Sequence, residues 1–218
     1  MSFRIAVLVS GEGSNLQALI DDFQASPSAE AAPGGAVAPE VEIAGVAASR
    51  ADARGLQRAE AAGIDTAVFS LADEPDRAKR DDALAAWLED LRIDLVVLAG
   101  FMELLTPGFI RRFAGRIVNV HPALLPAFPG LGAIEQAIEH GVKVAGVTVH
   151  FVDEGVDSGP ILLQEAFELP YHRDISSMRE HFHEVEHRLL PRAVRLIAAG
   201  RVSLDPDNPR LVRVEGDG

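Results

Sequence analysis

The 218-residue sequence contains no cysteine and fewer basic than acidic side chains, with 20 Lys and Arg against 33 Asp and Glu. The lack of cysteine excludes disulfides, thiolate metal sites and a cysteine nucleophile, and it is compatible with a reducing compartment. The formal net charge of −13 argues against a nucleic-acid partner and against an anionic membrane surface. Both are bound through clustered Lys and Arg, which this composition does not favour.

Long apolar runs are also lacking. Residues 95–102, the longest such run, fall far short of the roughly 20 residues that a membrane-spanning helix requires. The amino terminus leads through the apolar residues 5–9 directly into a glycine-rich loop, without the cleavage site of a signal peptide. We therefore expect a cytoplasmic protein.

Short apolar runs alternate with longer segments of helical periodicity, which is the pattern of a parallel sheet with crossover helices. The predicted strands are 4–9, 41–47, 67–69, 95–99, 117–120, 144–152 and 161–167. The predicted helices are 14–23, 53–62, 75–91, 107–113, 134–139 and a last one that runs to about Ala199. Polar and apolar residues alternate from Val144 onward, which indicates antiparallel strands. The sequence thus predicts an α/β fold: an open, mostly parallel sheet with helices on both faces and antiparallel strands at the carboxyl-terminal side.

Three local features refine this prediction. Ser177 with Glu180 forms a capping-box pattern at the start of the last helix, and Pro191 predicts a kink or a break inside it. Residues 25–40 are rich in Ala, Pro and Gly and predict a loose surface loop. We expect a single domain over residues 1–200 and a short tail, 201–218, with a possible hairpin.

The glycine-rich loop at 10–15 lies between the first predicted strand and helix. Glycines let the backbone approach a ligand closely, and a helix N-terminus attracts an anion. The loop departs from the dinucleotide fingerprint, because Leu16 occupies the position of the third glycine, and no Gly-Lys-Ser/Thr follows. A single phosphate on a small substrate and a tight turn capped by Ser14 both fit this pattern.

Asn119 and His121 are two residues apart at the end of a predicted strand, so both side chains point to the same face. Ligands of open α/β sheets bind at this carboxyl edge. An amide and an imidazole side by side are suitable donors for the oxyanion of an acyl transfer, although they could also brace a turn. Asp157, in the carboxylate-rich turn 153–160, would favour a protonated His121 if the two meet.

The segment His183-Glu184-Val185-Glu186-His187 fits the H-E-x-x-H pattern of zinc hydrolases on a predicted helix. Leu190 and Ala193 occupy the positions of the Gly and His that continue the metzincin motif. We therefore expect no metal, and a zinc hydrolase using His183, Glu184 and His187 is the less favoured hypothesis.

Taken together, these segments resemble the phosphoribosylglycinamide formyltransferases, folate-dependent enzymes of purine synthesis. The resemblance is carried by residues 7–19 (VLVSGEGSNLQAL), 94–105 (DLVVLAGFMELL), 117–130 (IVNVHPALLPAFPG) and 146–164 (GVTVHFVDEGVDSGPILLQ). It implies a Rossmann-like formyltransferase fold, 10-formyltetrahydrofolate as co-substrate, small-molecule partners, and a monomer or homodimer.

The resemblance also implies roles for individual residues. Asn119 and a protonated His121 would stabilise the tetrahedral oxyanion, with Asp157 assisting. Gly13, Ser14 and Asn15 would bind the substrate phosphate, and Glu186 the ribose hydroxyls. The folate site would comprise Arg77, Met102, Glu103, Leu104, Leu105, Asn119, Asp153, Glu154 and Asp157.

Two departures and several alternatives accompany this assignment. Glu103 stands where many relatives have a basic residue, and Gly132-Ala133 replaces a His-Thr pair. A methionyl-tRNA formyltransferase would be expected to carry a basic carboxyl-terminal domain, and a 10-formyltetrahydrofolate hydrolase an extra domain before the first strand. A nucleotide-binding module without chemistry is the other alternative.

Overall fold

The computed structural model describes residues 2–25, 37–169 and 175–215. The strands are β1 (Phe3–Val9), β2 (Val41–Ala48), β3 (Thr66–Val68), β4 (Leu95–Leu98), β5 (Ile117–His121), β6 (Val144–Phe151), β7 (Ile161–Glu168), β8 (Val202–Leu204) and β9 (Val212–Val214). The helices are α1 (Ser14–Ala25), α2 (Arg54–Ala61), α3 (Arg77–Asp90), α4 (Pro107–Arg112), α5 (Ala133–Glu139) and α6 (Ile175–Ala198). None of the described helices combines the length and the apolar character that a bilayer crossing needs.

Seven strands form one sheet in the order β3-β2-β1-β4-β5-β6-β7. Neighbouring strands from β3 to β5 run parallel, whereas β6 is antiparallel to both β5 and β7. This arrangement confirms the predicted fold class. The carboxyl ends of β2, β1, β4 and β5 therefore lie along the same edge of the sheet, where the candidate site is found.

The sheet is covered on both faces, which explains the continuous apolar sequence of its central strands. Along β1, Ile5 and Val7 join the core cluster that contains residues of α1 and α6, whereas Ala6 and Leu8 join the cluster that contains residues of α3 and α4. Alternate residues of a strand point to opposite faces, so a strand between two layers of helices is apolar throughout.

Helix α6 differs from its prediction in two respects. It begins at Ile175, so Ser177 lies in its first turn and is not the cap, and the predicted capping box is wrong. The Ser-x-x-Glu spacing also arises on the surface of an amphipathic helix, where it carries no capping information. The helix continues through the buried Pro191, which rules out a break there.

The remaining expectations concern the loop and the tail. Most of the loop predicted at 25–40 lies outside the described residues. In the tail, β8 and β9 pair antiparallel as a separate two-stranded sheet. The division into residues 1–200 and 201–218 stays a prediction.

Helix α3 carries a buried ion pair on the side that faces the core. The side chains of Arg80 and Asp81 are each 1% exposed, and Arg80 Nε lies 2.6 Å from Asp81 Oδ1. The two atoms are not aligned for a hydrogen bond, so the contact is electrostatic. Asp81 Oδ2 also accepts from the backbone N–H of Thr106 at 2.6 Å, and Arg80 donates to the Leu104 carbonyl at 3.4 Å. The pair thus anchors the loop that follows β4.

We expect Asp81→Asn to lower the free energy of unfolding by about 3 to 5 kcal/mol, because removal of one partner leaves the other charge buried and uncompensated. Urea denaturation measures this change. Glu89→Gln is the control, because Glu89 pairs with Arg112 at the exposed surface and should change stability little. Equal effects of the two substitutions would contradict the structural role of the buried pair.

Candidate active site

The end of β5 and the facing part of β6 supply three polar side chains to one face of the sheet. Asn119 and His121 alternate with buried apolar residues along β5. In the antiparallel register, Asn119 lies opposite His150 and His121 lies opposite Thr148. The structure therefore brings together the predicted Asn119 and His121 and adds His150 to them.

The carboxylate of Asp157 lies among these side chains. Its Oδ2 atom accepts from the Gly130 N–H at 2.8 Å and lies 3.4 Å from His121 Nδ1. Its Oδ1 atom accepts from Asn119 Nδ2 at 3.3 Å and lies 3.5 Å from His150 Nε2. Asn119 and His121, which are expected to act together with Asp157, thus both contact its carboxylate. The turn that carries Asp157 is closely packed, since a Cβ on Gly159 would lie only 1.8 Å from the Phe151 carbonyl oxygen.

The two ring nitrogens of His121 face different oxygen atoms. Its Nε2 lies 2.8 Å from the Phe128 carbonyl oxygen, which can only accept, so Nε2 carries a proton. Its Nδ1 lies on the side of the Asp157 carboxylate, 3.4 Å from Oδ2.

Burial raises the pKa of Asp157, but hydrogen bonds from His150 and Gly130 and the nearby His121 outweigh it, so the pKa lies below the ordinary aspartate value. Asp157 is therefore a carboxylate at neutral pH. It stabilises the fold above the ordinary aspartate pKa, and this contribution is lost as the pH falls through the lower folded pKa.

His150 was not predicted from the sequence. Its ring is buried, Nδ1 lies 2.8 Å from the Phe151 carbonyl oxygen, and Nε2 lies 3.2 Å from Asn119 Nδ2. One sequence pattern could have identified His150: Thr148 and His150 alternate with apolar residues along β6, which pairs antiparallel with β5. Thr148 is also buried, and its hydroxyl donates to the Ala123 carbonyl at 2.6 Å, which holds the loop after β5.

The glycine-rich loop between β1 and α1 leaves little room for side chains. Gly13 has φ +69°, and a Cβ there would lie 2.7 Å from the Gly55 Cα atom. The Gly13 carbonyl accepts from the Gln17 N–H, so Gly13 precedes the helix and Ser14 is its first residue. The cap interpretation of Ser14 is therefore wrong. The first N–H groups of α1 have no partner within the helix and are available to an anion.

Arg58 is a second feature of this region that the sequence did not indicate. Its Nε donates to the Glu12 carbonyl at 2.8 Å and its Nη1 to Gln17 at 3.1 Å. A cavity of about 620 Å³ opens beside the loop, lined by Ser14, Gln17, Ala18, Asp21, Asp22, Arg58 and His187. A positive charge therefore lies next to the start of α1.

Glu186 of α6 reaches the same loop. It is buried, and its Oε2 accepts from Asn15 Nδ2 at 3.0 Å. Burial raises the pKa of Glu186 from the ordinary value of 4.5 to about 7, although the hydrogen bond from Asn15 opposes this shift. The Asn15 Oδ1 atom is buried without a hydrogen-bond partner among the described residues. Of the residues predicted to bind the ribonucleotide, Asn15 and Glu186 are thus in direct contact.

The residues expected to bind folate lie on separate loops. Met102 and Leu104, after β4, are 65% and 58% exposed, whereas Leu105 packs against the core cluster of α3 and α4. Glu103 between them is half-buried, and Arg77 is exposed at the first position of α3.

Asp153 and Glu154 already have protein partners. Asp153 accepts from Ser158 at 2.7 Å within its own turn, and Glu154 pairs with Arg111 at 2.8 Å. Two further apolar side chains near this site are exposed. Leu131 follows Gly130, which donates to Asp157, and Val156 directly precedes Asp157.

The H-E-x-x-H segment is helical, but its glutamate points away from its two histidines. The rings of His183 and His187 stack with centroids 6.0 Å apart, whereas Glu184 turns away to His181, with its Oε2 3.2 Å from His181 Nδ1. Burial lowers the pKa of both His183 and His187. No group of three or more potential metal ligands occurs in the parts of the chain that the structure describes. The expected absence of a metal stays a prediction.

Comparison with known proteins places this geometry in a family. Residues 3–194 match the family model described as formyl transferase. The phosphoribosylglycinamide formyltransferase of Haemophilus influenzae is 41% identical over 201 residues, which are 92% of this chain and 90% of that protein. The crystal structure of glycinamide ribonucleotide transformylase 1 from Symbiobacterium toebii superposes on this structure with a TM-score of 0.88 and a sequence identity of 44%. The match covers 98% of this chain and 94% of that one.

In longer relatives, the match covers a small part of the protein's length. The trifunctional purine biosynthetic protein adenosine-3 of Homo sapiens is 43% identical over 201 residues, which are 92% of this chain but 19% of that protein. The match covers 14% of the protein of the same name from Drosophila melanogaster. The chain thus spans less than a fifth of these relatives.

We expect Glu186→Gln to stabilise the ligand-free protein at alkaline but not at acidic pH. A carboxyl group with a raised folded pKa contributes stability below its unfolded pKa, and this contribution is lost as the pH rises through about 7. The amide does not ionise, so the variant's advantage should grow from near zero at pH ~4 to about 3 kcal/mol at pH ~8. Urea unfolding across this range measures it, and Glu184→Gln controls for the loss of a charge from α6. A pH-independent difference would contradict the buried acid.

Proposed function

Because the chain belongs to the formyl transferase family, we propose that it transfers the formyl group of 10-formyltetrahydrofolate to the amine of N1-(5-phospho-D-ribosyl)glycinamide, a step of purine (IMP) biosynthesis. The observation that carries this proposal is the contact of Asn119, His121 and Asp157 at the carboxyl edge of the sheet. This constellation suits an acyl transfer, in which negative charge develops on a carbonyl oxygen.

In the proposed reaction, the glycinamide nitrogen attacks the formyl carbon, and its electron pair forms the new C–N bond. The formyl oxygen becomes an oxyanion in the tetrahedral intermediate, near the Asn119 amide and the His121 imidazolium. The bond between the formyl carbon and N10 of the folate then breaks. The attacking amine loses a proton and N10 gains one, with Asp157 assisting this transfer through water.

The donors that this step requires already have acceptors in the ligand-free arrangement. His121 Nε2 donates to the Phe128 carbonyl, and the Asn119 amide nitrogen donates to Asp157. The bond from Asn119 is long, at 3.3 Å, and is therefore weak. We infer that the formyl oxygen replaces one acceptor of each residue as charge develops on it.

The ribonucleotide is proposed to bind with its phosphate at Gly13, Ser14 and Asn15 and its ribose at Glu186. Free N–H groups at the start of α1 and the positive charge of Arg58 support a phosphate there. A buried carboxyl group whose pKa lies near 7 can accept from or donate to a hydroxyl, according to its protonation.

The folate is proposed to lie against the loop after β4, with Met102, Glu103, Leu104, Leu105 and Arg77 on one side. Asn119, Asp153, Glu154 and Asp157 complete this site. The exposure of Met102 and Leu104 supports an apolar surface for a flat ring. Glu103 adds a negative charge at this surface, which disfavours an anionic group of the folate close to it.

The setting of the reaction follows from the same proposal. The partners are two small molecules, without nucleic acid or membrane, in a cytoplasmic location and with no metal. The strongest alternative is a 10-formyltetrahydrofolate hydrolase, in which water replaces the amine. A zinc hydrolase is less favoured, because Glu184 turns towards His181 and away from His183 and His187.

A spectrophotometric assay of EDTA-treated protein with 10-formyltetrahydrofolate tests the proposal. Tetrahydrofolate release should depend on the ribonucleotide and should be insensitive to the chelator. Release without the ribonucleotide would indicate the hydrolase. Loss of activity on chelation that zinc restores would instead favour the metal site at His183 and His187.

We expect His121→Ala and Asn119→Ala each to lower kcat by about 10²-fold or more, because each removes a donor to the developing oxyanion. Steady-state kinetics with both substrates at saturation measure the loss. His181→Ala is a matched control, because this partly exposed imidazole contacts Glu184 and Phe167, which lie outside the proposed site. Rates near wild type in both site variants would exclude these donors from the reaction.

For Glu186→Ala we expect a higher KM for the ribonucleotide and an unchanged KM for the folate, because the hydrogen bond of Glu186 among the described residues is to Asn15 of the phosphate loop. Metal analysis of the same variant should show no loss of bound zinc. A change confined to the folate KM would be incompatible with the proposed ribose contact.

A further inference from the structure

Three loops that follow neighbouring strands meet at the side chain of Ser10. In the sheet, β1 lies between β2 and β4, and Ser10, Ser49 and the segment 99–102 follow these three strands directly. Ser10 begins the glycine-rich loop, and Met102 belongs to the segment with the exposed apolar side chains. The two loops proposed to bind the two substrates therefore adjoin at this point.

The Ser10 hydroxyl joins these loops by hydrogen bonds. It accepts from the Met102 N–H at 2.8 Å and from the Ser49 hydroxyl at 2.7 Å. The Ser10 N–H donates to the Gly100 carbonyl at 3.1 Å. Ser10 and Ser49 are 7% and 8% exposed, so water cannot readily replace these bonds.

The far end of the same segment is anchored to a different element. Arg80 and Asp81 of α3 bind the Leu104 carbonyl and the Thr106 N–H, and the Arg80 guanidinium lies 5.9 Å from the Phe101 ring centroid. These contacts hold the segment against the body of the protein. Its side-chain connection to the glycine-rich loop is the Ser10 hydroxyl.

We propose that Ser10 is a positioning residue that sets the distance between the two bound substrates. This inference rests on the proposed function, in which the phosphate end of the amine substrate lies at one loop and the folate at the other. Transfer requires the amine nitrogen and the formyl carbon to approach within about 3 to 3.5 Å, and a displacement of about 1 Å can reduce the rate by about 10²-fold. A buried hydroxyl shared by both loops opposes such a displacement.

The experiment compares Ser10→Ala with Ser49→Ala and Ser10→Thr. Ser49→Ala removes a hydroxyl of similar burial from the same network but leaves the bond to Met102 intact. Ser10→Thr keeps the accepting hydroxyl. For each variant, kcat is measured at saturation, and the Kd of the ribonucleotide and of tetrahydrofolate is measured separately by calorimetry.

For Ser10→Ala we expect kcat to fall by about tenfold to 10²-fold while each separate Kd changes by less than about threefold, because each loop still binds its own ligand. Ser49→Ala should keep kcat within about threefold of wild type, and Ser10→Thr should restore most of the kcat that Ser10→Ala loses. Amide exchange at Met102 should quicken in Ser10→Ala alone. These differences separate positioning from a general loss of stability, which would weaken both binding and turnover.

Two results would overturn the inference: a kcat of Ser10→Ala equal to that of Ser49→Ala, or a loss of kcat matched by equal losses in the separate affinities. The failure of the proposed function is a different result, because it would be seen in the wild-type protein as tetrahydrofolate release that does not depend on the ribonucleotide.

Discussion

The Asp157 carboxylate, which is largely shielded from solvent, contacts donors from separate segments and so holds the active edge together. His121 and Asn119 come from β5, His150 from β6, and the Gly130 N–H from the loop after β5. A buried carboxylate is costly unless such donors surround it, so the carboxylate and its donors stabilise one another. Because β6 runs antiparallel to β5, it ends beside Val118, near the start of β5. The turn that follows β6 must therefore fold back along β5 for Asp157 to reach Asn119 and His121.

Two carboxyl groups in this site are shifted in opposite directions. Asp157 is stabilised as an anion by its donors, whereas Glu186 has one hydrogen bond from Asn15, and burial raises its pKa to about 7. Each direction suits the position in the proposed reaction. The negative charge of Asp157 lies 3.4 Å from His121 Nδ1 and helps to orient that ring, and an acid that changes protonation near neutral pH can adapt to hydroxyl groups of a sugar. The environment of a carboxyl group, more than its residue type, determines what it can do.

The sequence predicted the features that depend on local periodicity. The strands, the sheet edge and the pair Asn119 and His121 follow from alternation and from the position of a strand end. His150 and Arg58 were missed because their importance arises from pairing and packing between distant segments, which a spacing rule does not contain. Arg80 and Asp81 were missed for a related reason, since charged residues in an amphipathic helix are normally exposed. Conversely, the Ser177 capping box matched a short pattern that the start of the helix does not use. In the H-E-x-x-H segment, Glu184 turns towards His181 and away from His183 and His187.

The order of the strands also determines how this sheet avoids pairing with other molecules. An exposed edge strand offers unpaired backbone groups to any extended chain, which promotes aggregation. At one edge, β3 has only 3 residues, too few to template a long partner. At the other edge, β7 carries Glu165, paired with Arg188, and Glu168, and its first residue, Ile161, bridges to Leu211 of the tail. The shortness of β3, together with the charges and the covering segment of β7, therefore discourages both outer strands from pairing with other molecules. The carboxyl ends of the inner strands, where the ligands are proposed to bind, are not part of this protection.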